Sequence, residues 1–283
     1  MSLHALLGPG KLLVAPGVFD MVSARIADRM GFSALYMTGY GTVASSLGLP
    51  DAGLASYAEM VTRVAAIAGG TTTPLIADAD TGFGGLLNVE RTVRGYEAAG
   101  AKAIQLEDQV FPKRCGHTLG RQVIPAEDMA RKIRVACESR ASREFLIIAR
   151  TDARTGHGID EALRRADLYG KAGADILFVE SPESEEEMRR ICASFDLPCL
   201  ANMVEGGRTP VLSRAALIEI GYRIAIFPAT GFLAAAQALT TAYTALRAHG
   251  SSAEQGLALF PFTEMNRLMG FERVWDFERA HAE

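Results

Sequence analysis

With 283 residues, 49% of them apolar and 28 of them glycine, the chain can build one large core with many tight turns, the size of a single α/β barrel. A net charge of −4 and the lack of a basic run exclude the electrostatic footprint of a nucleic-acid or membrane-surface binder. No apolar stretch is long enough for a transmembrane helix, and the segment from Met1 to Pro9 lacks the pattern of a signal peptide.

Eight short apolar runs read as strands: Leu12–Ala15, Ala34–Met37, Leu75–Ala79, Ala103–Leu106, Phe145–Ala149, Ile176–Val179, Cys199–Ala201 and Arg223–Phe227. Between them, Asn88–Ala99, Ala126–Glu138, Ile159–Ala172 and Ser184–Ser194 carry apolar residues at helical spacing. Gly31, Gly100, Gly173 and Gly221 fall where helix C-caps belong, just before the next strand. Near-continuous apolar strands alternating with helices imply a parallel sheet covered on both faces. Eight such units imply a (β/α)8 TIM barrel, one domain over residues 1–283 that ends in a C-terminal helical segment. A doubly wound open sheet is disfavoured by the absence of a Gly-rich dinucleotide turn.

Polar residues recur at the C-terminal ends of these strands, where barrel enzymes place their chemistry: Thr38-Gly39, Asp80, Glu107-Asp108, Arg150, Glu180 and Asn202. Asp78 and Asp80, two apart on one strand, point to one side and can converge on a cation. Glu107 and Asp108 supply further carboxylates. Gathered without a cation, four acids would repel one another, and an all-oxygen set suits Mg2+ or Mn2+ better than zinc. Asp80 is the first choice for direct ligation. Arg150 is suited to a bidentate grip on a substrate carboxylate, with Asp152 placed to orient it. Glu180 could orient or deprotonate a hydroxyl.

Lys113-Arg114-Cys115-Gly116-His117 lies in a long loop running from Pro112 to Gln122, which reads as a lid. Cations flanking Cys115 favour thiolate and make it a candidate acid, base or nucleophile. Cys137, Cys192 and Cys199 fall in helical or strand patterns as ordinary buried thiols. Four cysteines in a chain of this size do not form a disulfide framework, so a reducing cytoplasm is the expected location.

At this point the chain resembles the isocitrate lyase and phosphoenolpyruvate mutase superfamily across nearly its whole length. The matching runs include Tyr36-Met37-Thr38-Gly39, Leu47-Gly48-Leu49-Pro50-Asp51, Asp78-Ala79-Asp80-Thr81-Gly82-Phe83-Gly84, Glu107-Asp108-Gln109, the cysteine loop, Ile148–Ala153 and Ala201–Gly207. The resemblance implies a barrel whose eighth helix is exchanged with a neighbour, a homotetramer, and a need for Mg2+ or Mn2+. It implies metal ligation by Asp78 and Asp80, keto-acid binding by Thr38, Gly39 and Tyr40 with Arg150, and substrate contacts from Gly116, Glu180 and Asn202; His117 is a candidate substrate contact that could instead tune the thiol or cap the loop. It makes Cys115 the acid/base residue. Members with this cysteine loop cleave C–C bonds in 2-hydroxy di- or tricarboxylates. The arginines by which methylisocitrate lyases hold further carboxylates are replaced here at Phe232-Leu233 and Phe262, so the resemblance favours a 2-substituted malate, with Leu233 as an apolar substrate contact. The expected partners are a small 2-hydroxy dicarboxylate or 2-oxo acid, with Tyr36 or Glu180 as candidate base. The alternatives are a carboxyphosphonoenolpyruvate-type phosphonomutase, an oxaloacetate hydrolase or decarboxylase, and a non-catalytic metal-binding scaffold.

Overall fold

A computed structural model describes residues 3–116, 118, 120–253 and 256–282. Eight parallel strands follow one another in chain order: β1 Leu13–Val18, β2 Leu35–Met37, β3 Leu75–Asp78, β4 Ala103–Glu107, β5 Leu146–Thr151, β6 Ile176–Val179, β7 Leu200–Asn202 and β8 Ile224–Phe227. Each pairs with its sequence neighbour, β1 pairs with β8, and a single parallel bridge from Leu177 to Cys199 joins β6 to β7. The sheet therefore returns on itself as the expected barrel. Every strand lies within two residues of its sequence-derived limits at its start, and several run one to three residues further at the C-terminal end.

The helices are α1 Leu3–Leu6, α2 Met21–Arg29, α3 Gly39–Leu47, α4 Tyr57–Gly70, α5 Leu86–Ala98, α6 Ala126–Ser139, α7 Ala153–Lys171, α8 Glu185–Ala193, α9 Arg214–Ile220, α10 Thr230–His249, α11 Phe262–Met269 and α12 Phe271–Ala280. Their starts are chemically marked. The side chains of Asp20, Ser56, Ser184 and Ser213 each accept a backbone N–H of the first turn, each cap worth about 1 kcal/mol. Gly31, Gly100, Gly173 and Gly221 all have positive φ, which lets the chain turn from helix back to strand.

Side-chain alternation divides the core in two. Ile104, Leu106, Ile147 and Ala149 point outward, among the helices. Leu13, Ala15, Ala34, Tyr36, Ile76, Ala103, Leu146, Ile148, Ile176, Phe178, Leu200, Ile224 and Ile226 point inward, and Leu3 and Leu7 join their cluster. The barrel is thus filled with side chains and leaves its C-terminal rim for polar groups.

The chain divides into two compact units, Met1–Phe232 and Leu233–Glu283. The first holds all eight strands; the second holds most of α10 together with α11 and α12. In that segment no α10 residue is buried, and Leu239, Tyr243 and Leu246 are exposed, as are Phe262, Trp275 and Phe277. No described helix is long and apolar enough to cross a membrane.

Candidate active site

On five of the strands the residue one step above a buried, inward-facing side chain is polar. Asp78 follows Ile76, Glu107 follows Gln105, Arg150 follows Ile148, Glu180 follows Phe178 and Asn202 follows Leu200, each two residues further along. Alternation thus brings these five side chains to one rim, and all five are buried.

On one side of the rim stand the acids. Asp78 Oδ1 accepts the backbone N–H of Asp80 at 3.1 Å and Gln105 Nε2 at 3.3 Å. Helix α3 begins beside it: a β-carbon on Gly39 would lie 2.6 Å from Asp78 Oδ2, so only glycine lets the helix start so close to the carboxylate. Asp80 sits at φ 49°, a strained conformation that turns its carboxylate inward past the strand end. Lys113 reaches in from the lid and pairs with Asp51 and, at 2.8 Å, with Asp80 Oδ1. Burial raises the carboxyls of Asp51, Asp78 and Asp80 and pushes Glu107 up further, against the opposing pull of Lys113 and Arg150.

Glu107 Oε1 is buried without a hydrogen bond, and Asp80 Oδ1 has the Lys113 ammonium at 2.8 Å. A buried carboxylate oxygen left as Glu107 Oε1 is needs a cation or a proton. The donors are all oxygen, as Mg2+ or Mn2+ prefers. Among the described residues no three His, Cys, Asp or Glu side chains complete a coordination shell by themselves, so water or substrate oxygens must supply the rest. On these observations the residues fit a hard divalent ion.

On the other side Arg150 is the hub. Its Nε and Nη2 donate to the two Asp152 oxygens, each at 2.9 Å, while Glu107 Oε2 lies at 3.3 Å and Glu180 Oε2 at 3.2 Å. Its guanidinium stands 5.1 Å from the Phe178 ring centre, on the apolar floor. Glu180 Oε2 also accepts from Asn202 Nδ2 at 3.0 Å, and Glu180 Oε1 accepts from the Ser181 N–H at 2.7 Å.

The lid is held down onto this group. Gly116 O accepts from Ser181 Oγ at 2.9 Å, the Cys115 N–H donates to Asp51 O at 3.1 Å, and the Gln109 side chain clasps both the N–H and the C=O of Arg114. Cys115 is partly buried. Thr38 is buried at the N-cap of α3, and the half-exposed Tyr40 ring packs 5.5 Å from Phe232, which meets Phe19 edge-on at 5.7 Å.

Three sequence expectations change. Asp108, expected among the metal acids, is turned away from the rim: its oxygens accept from Thr151 Oγ1, the Asp152 N–H, Arg165 and Tyr169 OH. It follows Leu106 in the outward register, so alternation assigns it to the sheet–helix layer. Tyr36, a candidate base, is buried one layer below the rim, its hydroxyl 2.8 Å from Gln105 Oε1, and burial pushes its phenol well above the ordinary range. Lys113, expected to tune the thiol, spends its charge on Asp51 and Asp80. Leu233 belongs to the second unit, where it is half exposed, and His117 lies outside the described residues. The sequence reading did not give site roles to Asp51, Gln105, Arg121 or Ser181. Inward alternation on β4 marks Gln105; the other three act through loops whose paths the local sequence does not specify.

Residues 3–247 match the phosphoenolpyruvate phosphomutase family. The chain is 50% identical over 281 residues to the 2,3-dimethylmalate lyase of Eubacterium barkeri, covering 99% of this chain and 97% of that one. It is 44% identical over 283 residues to the 2-methylisocitrate lyase of Aeropyrum pernix, covering 100% and 90%. The solved structure of an oxaloacetate acetylhydrolase bound to 3,3-difluorooxalacetate superposes with a TM-score of 0.93 at 35% identity, covering 99% and 95%. The chain belongs to the phosphoenolpyruvate phosphomutase family.

Proposed function

We propose that this chain, as a member of that family, is a carbon–carbon lyase that cleaves a 2-substituted malate into a 2-oxo acid and a carboxylate. The observation that carries the reading is the cysteine lid seated over Arg150 and Glu180, in a chain half identical to a 2,3-dimethylmalate lyase.

Asp80 and Asp78, with Glu107 acting directly or through water, would hold Mg2+ or Mn2+. Bound there, the ion supplies Lewis acidity to the substrate's hydroxyl and carboxylate oxygens. Arg150, fixed by Asp152, grips the carboxylate next to the hydroxyl. Thr38, Gly39 and Tyr40 close the opposite side, and Asn202 with Gly116 completes the pocket. Glu180, at the rim where Tyr36 lies one layer below it, is the candidate to take the hydroxyl proton. The C2–C3 bond then breaks: its electron pair passes into the carboxylate-stabilised carbanion, and the alkoxide becomes the 2-oxo group. The Cys115 thiol delivers a proton to that carbon while the lid excludes water.

The acetylhydrolase neighbour supports one further reading, hydrolytic cleavage of oxaloacetate in the same pocket. A panel of 2-hydroxy diacids and oxaloacetate, assayed with Mg2+ and with a chelator, separates the two. Release of a 2-oxo acid from 2,3-dimethylmalate supports the lyase; acetate and oxalate from oxaloacetate alone would replace it with the hydrolase.

Among the described residues the four cysteines form no disulfide, which is consistent with a reducing cytoplasm, and the exposed apolar residues of α10 are consistent with cover by another chain in a homotetramer that exchanges its eighth helix. Light scattering should then give the mass of four chains.

A further inference from the structure

Arg121 stands outside the rim, at the far end of the lid, yet its side chain is 1% exposed. Its Nη1 pairs with Asp152 Oδ1 at 2.5 Å, its Nη2 donates to Thr155 Oγ1 at 2.5 Å in the first turn of α7, and its Nε donates to Thr118 O at 3.2 Å in the lid. A guanidinium is buried so completely only where each donor group meets an acceptor, and here all three nitrogens do. Asp152 accepts both oxygen contacts from Arg150 as well, and its carboxylate is fully buried. Burial alone would raise that carboxyl, but Arg150 and Arg121 outweigh it and hold it below the usual range, so it stays ionised between two cations.

The lid therefore meets Arg150 at two points. Its tip does so directly, where Gly116 packs against Nη2. Its far end does so through Arg121 and Asp152. The neck of the lid is closed by the Gln109–Val123 bridge and by the Val110 N–H donating to Gln122 O at 2.8 Å, so Arg121 sits next to a pinned point of the chain. Asp152 in turn is anchored from behind, its N–H donating to Asp108 Oδ1 at 2.9 Å.

We infer that Arg121 is a positioning residue that couples lid closure to the carboxylate grip of Arg150, acting through Asp152. By sharing the Asp152 charge it leaves more of the Arg150 charge for a substrate anion, and by holding Thr118 O it makes that arrangement depend on a seated lid. This rests on the reading of Arg150 as the substrate-carboxylate ligand.

The test uses the full-length chain with Mg2+ and oxalate as the dianion probe. Arg121→Met should weaken oxalate binding by calorimetry about tenfold or more, the scale of one charge-assisted hydrogen bond, and raise KM more than it lowers kcat. Hydrogen exchange across residues 110–122 should lose the protection that oxalate gives the wild type. Arg121→Lys, which keeps the charge but not the fork, should recover part of the affinity. In an Asp152→Asn background, Arg121→Met should add little, because the route is already cut. Oxalate affinity within twofold of wild type in Arg121→Met, or an undiminished loss in the Asp152→Asn background, overturns the inference and leaves the lyase reading intact. A wild type that binds no oxalate and cleaves no diacid overturns both.

Discussion

Gly116 packs its backbone directly on Arg150. A β-carbon there would fall well inside contact distance of Nη2 and 2.8 Å from Glu180 Oε2. The guanidinium cannot swing aside, because Asp152 holds it by two hydrogen bonds and Glu107 and Glu180 flank it. Gly116→Ala should therefore hold the lid off its seat and lower kcat/KM on 2,3-dimethylmalate about tenfold or more, the typical cost of small misplacements at a reacting centre. Steady-state kinetics measure this; an unchanged kcat/KM would mean that the seated lid is not the working conformation.

Cys115→Ser replaces a thiol with a far weaker acid at the same place. Turnover should fall by about a hundredfold or more, the scale of a lost general acid, while oxalate still binds with Mg2+. Near-normal cleavage by this variant would remove the sulfur from the mechanism.

Removing one carboxylate charge in Asp80→Asn should weaken Mn2+ binding about tenfold or more, read directly by paramagnetic resonance of the free ion, and chelation should abolish wild-type turnover until Mg2+ or Mn2+ is restored. Equal Mn2+ affinity in wild type and variant would move the ion elsewhere.

The pH dependence follows from the raised carboxyls of Asp78, Asp80 and Glu107. A pKa raised by folding means the folded chain holds its proton more tightly than the unfolded chain does. The stability from each such group is fully present below the ordinary carboxylate range, near pH 4, and is lost as pH rises through the raised value. A divalent ion binds the ionised form and restores what was lost. The Mg2+-induced gain in Tm should thus be small at about pH 5 and larger at about pH 8. A gain that does not vary with pH in thermal denaturation would separate the ion from these acids.

The sequence by itself determined the barrel, because each strand, each glycine C-cap and the polar strand ends are local signals set by side-chain period and backbone freedom. Alternation even distinguishes Glu107 from Asp108: the two are adjacent in the chain, yet one reaches the rim and the other enters the Arg165–Tyr169 network behind the sheet. The depth of Tyr36 was also implicit, since it lies one alternation below Thr38. What only the tertiary structure decided were partnerships across long loops. Lys113 finds Asp51 and Asp80 rather than the neighbouring thiol, and Arg121 finds Asp152. Charged side chains are long and their loops turn freely, so local pattern states which charges exist, while three-dimensional closure selects the pairs that survive burial.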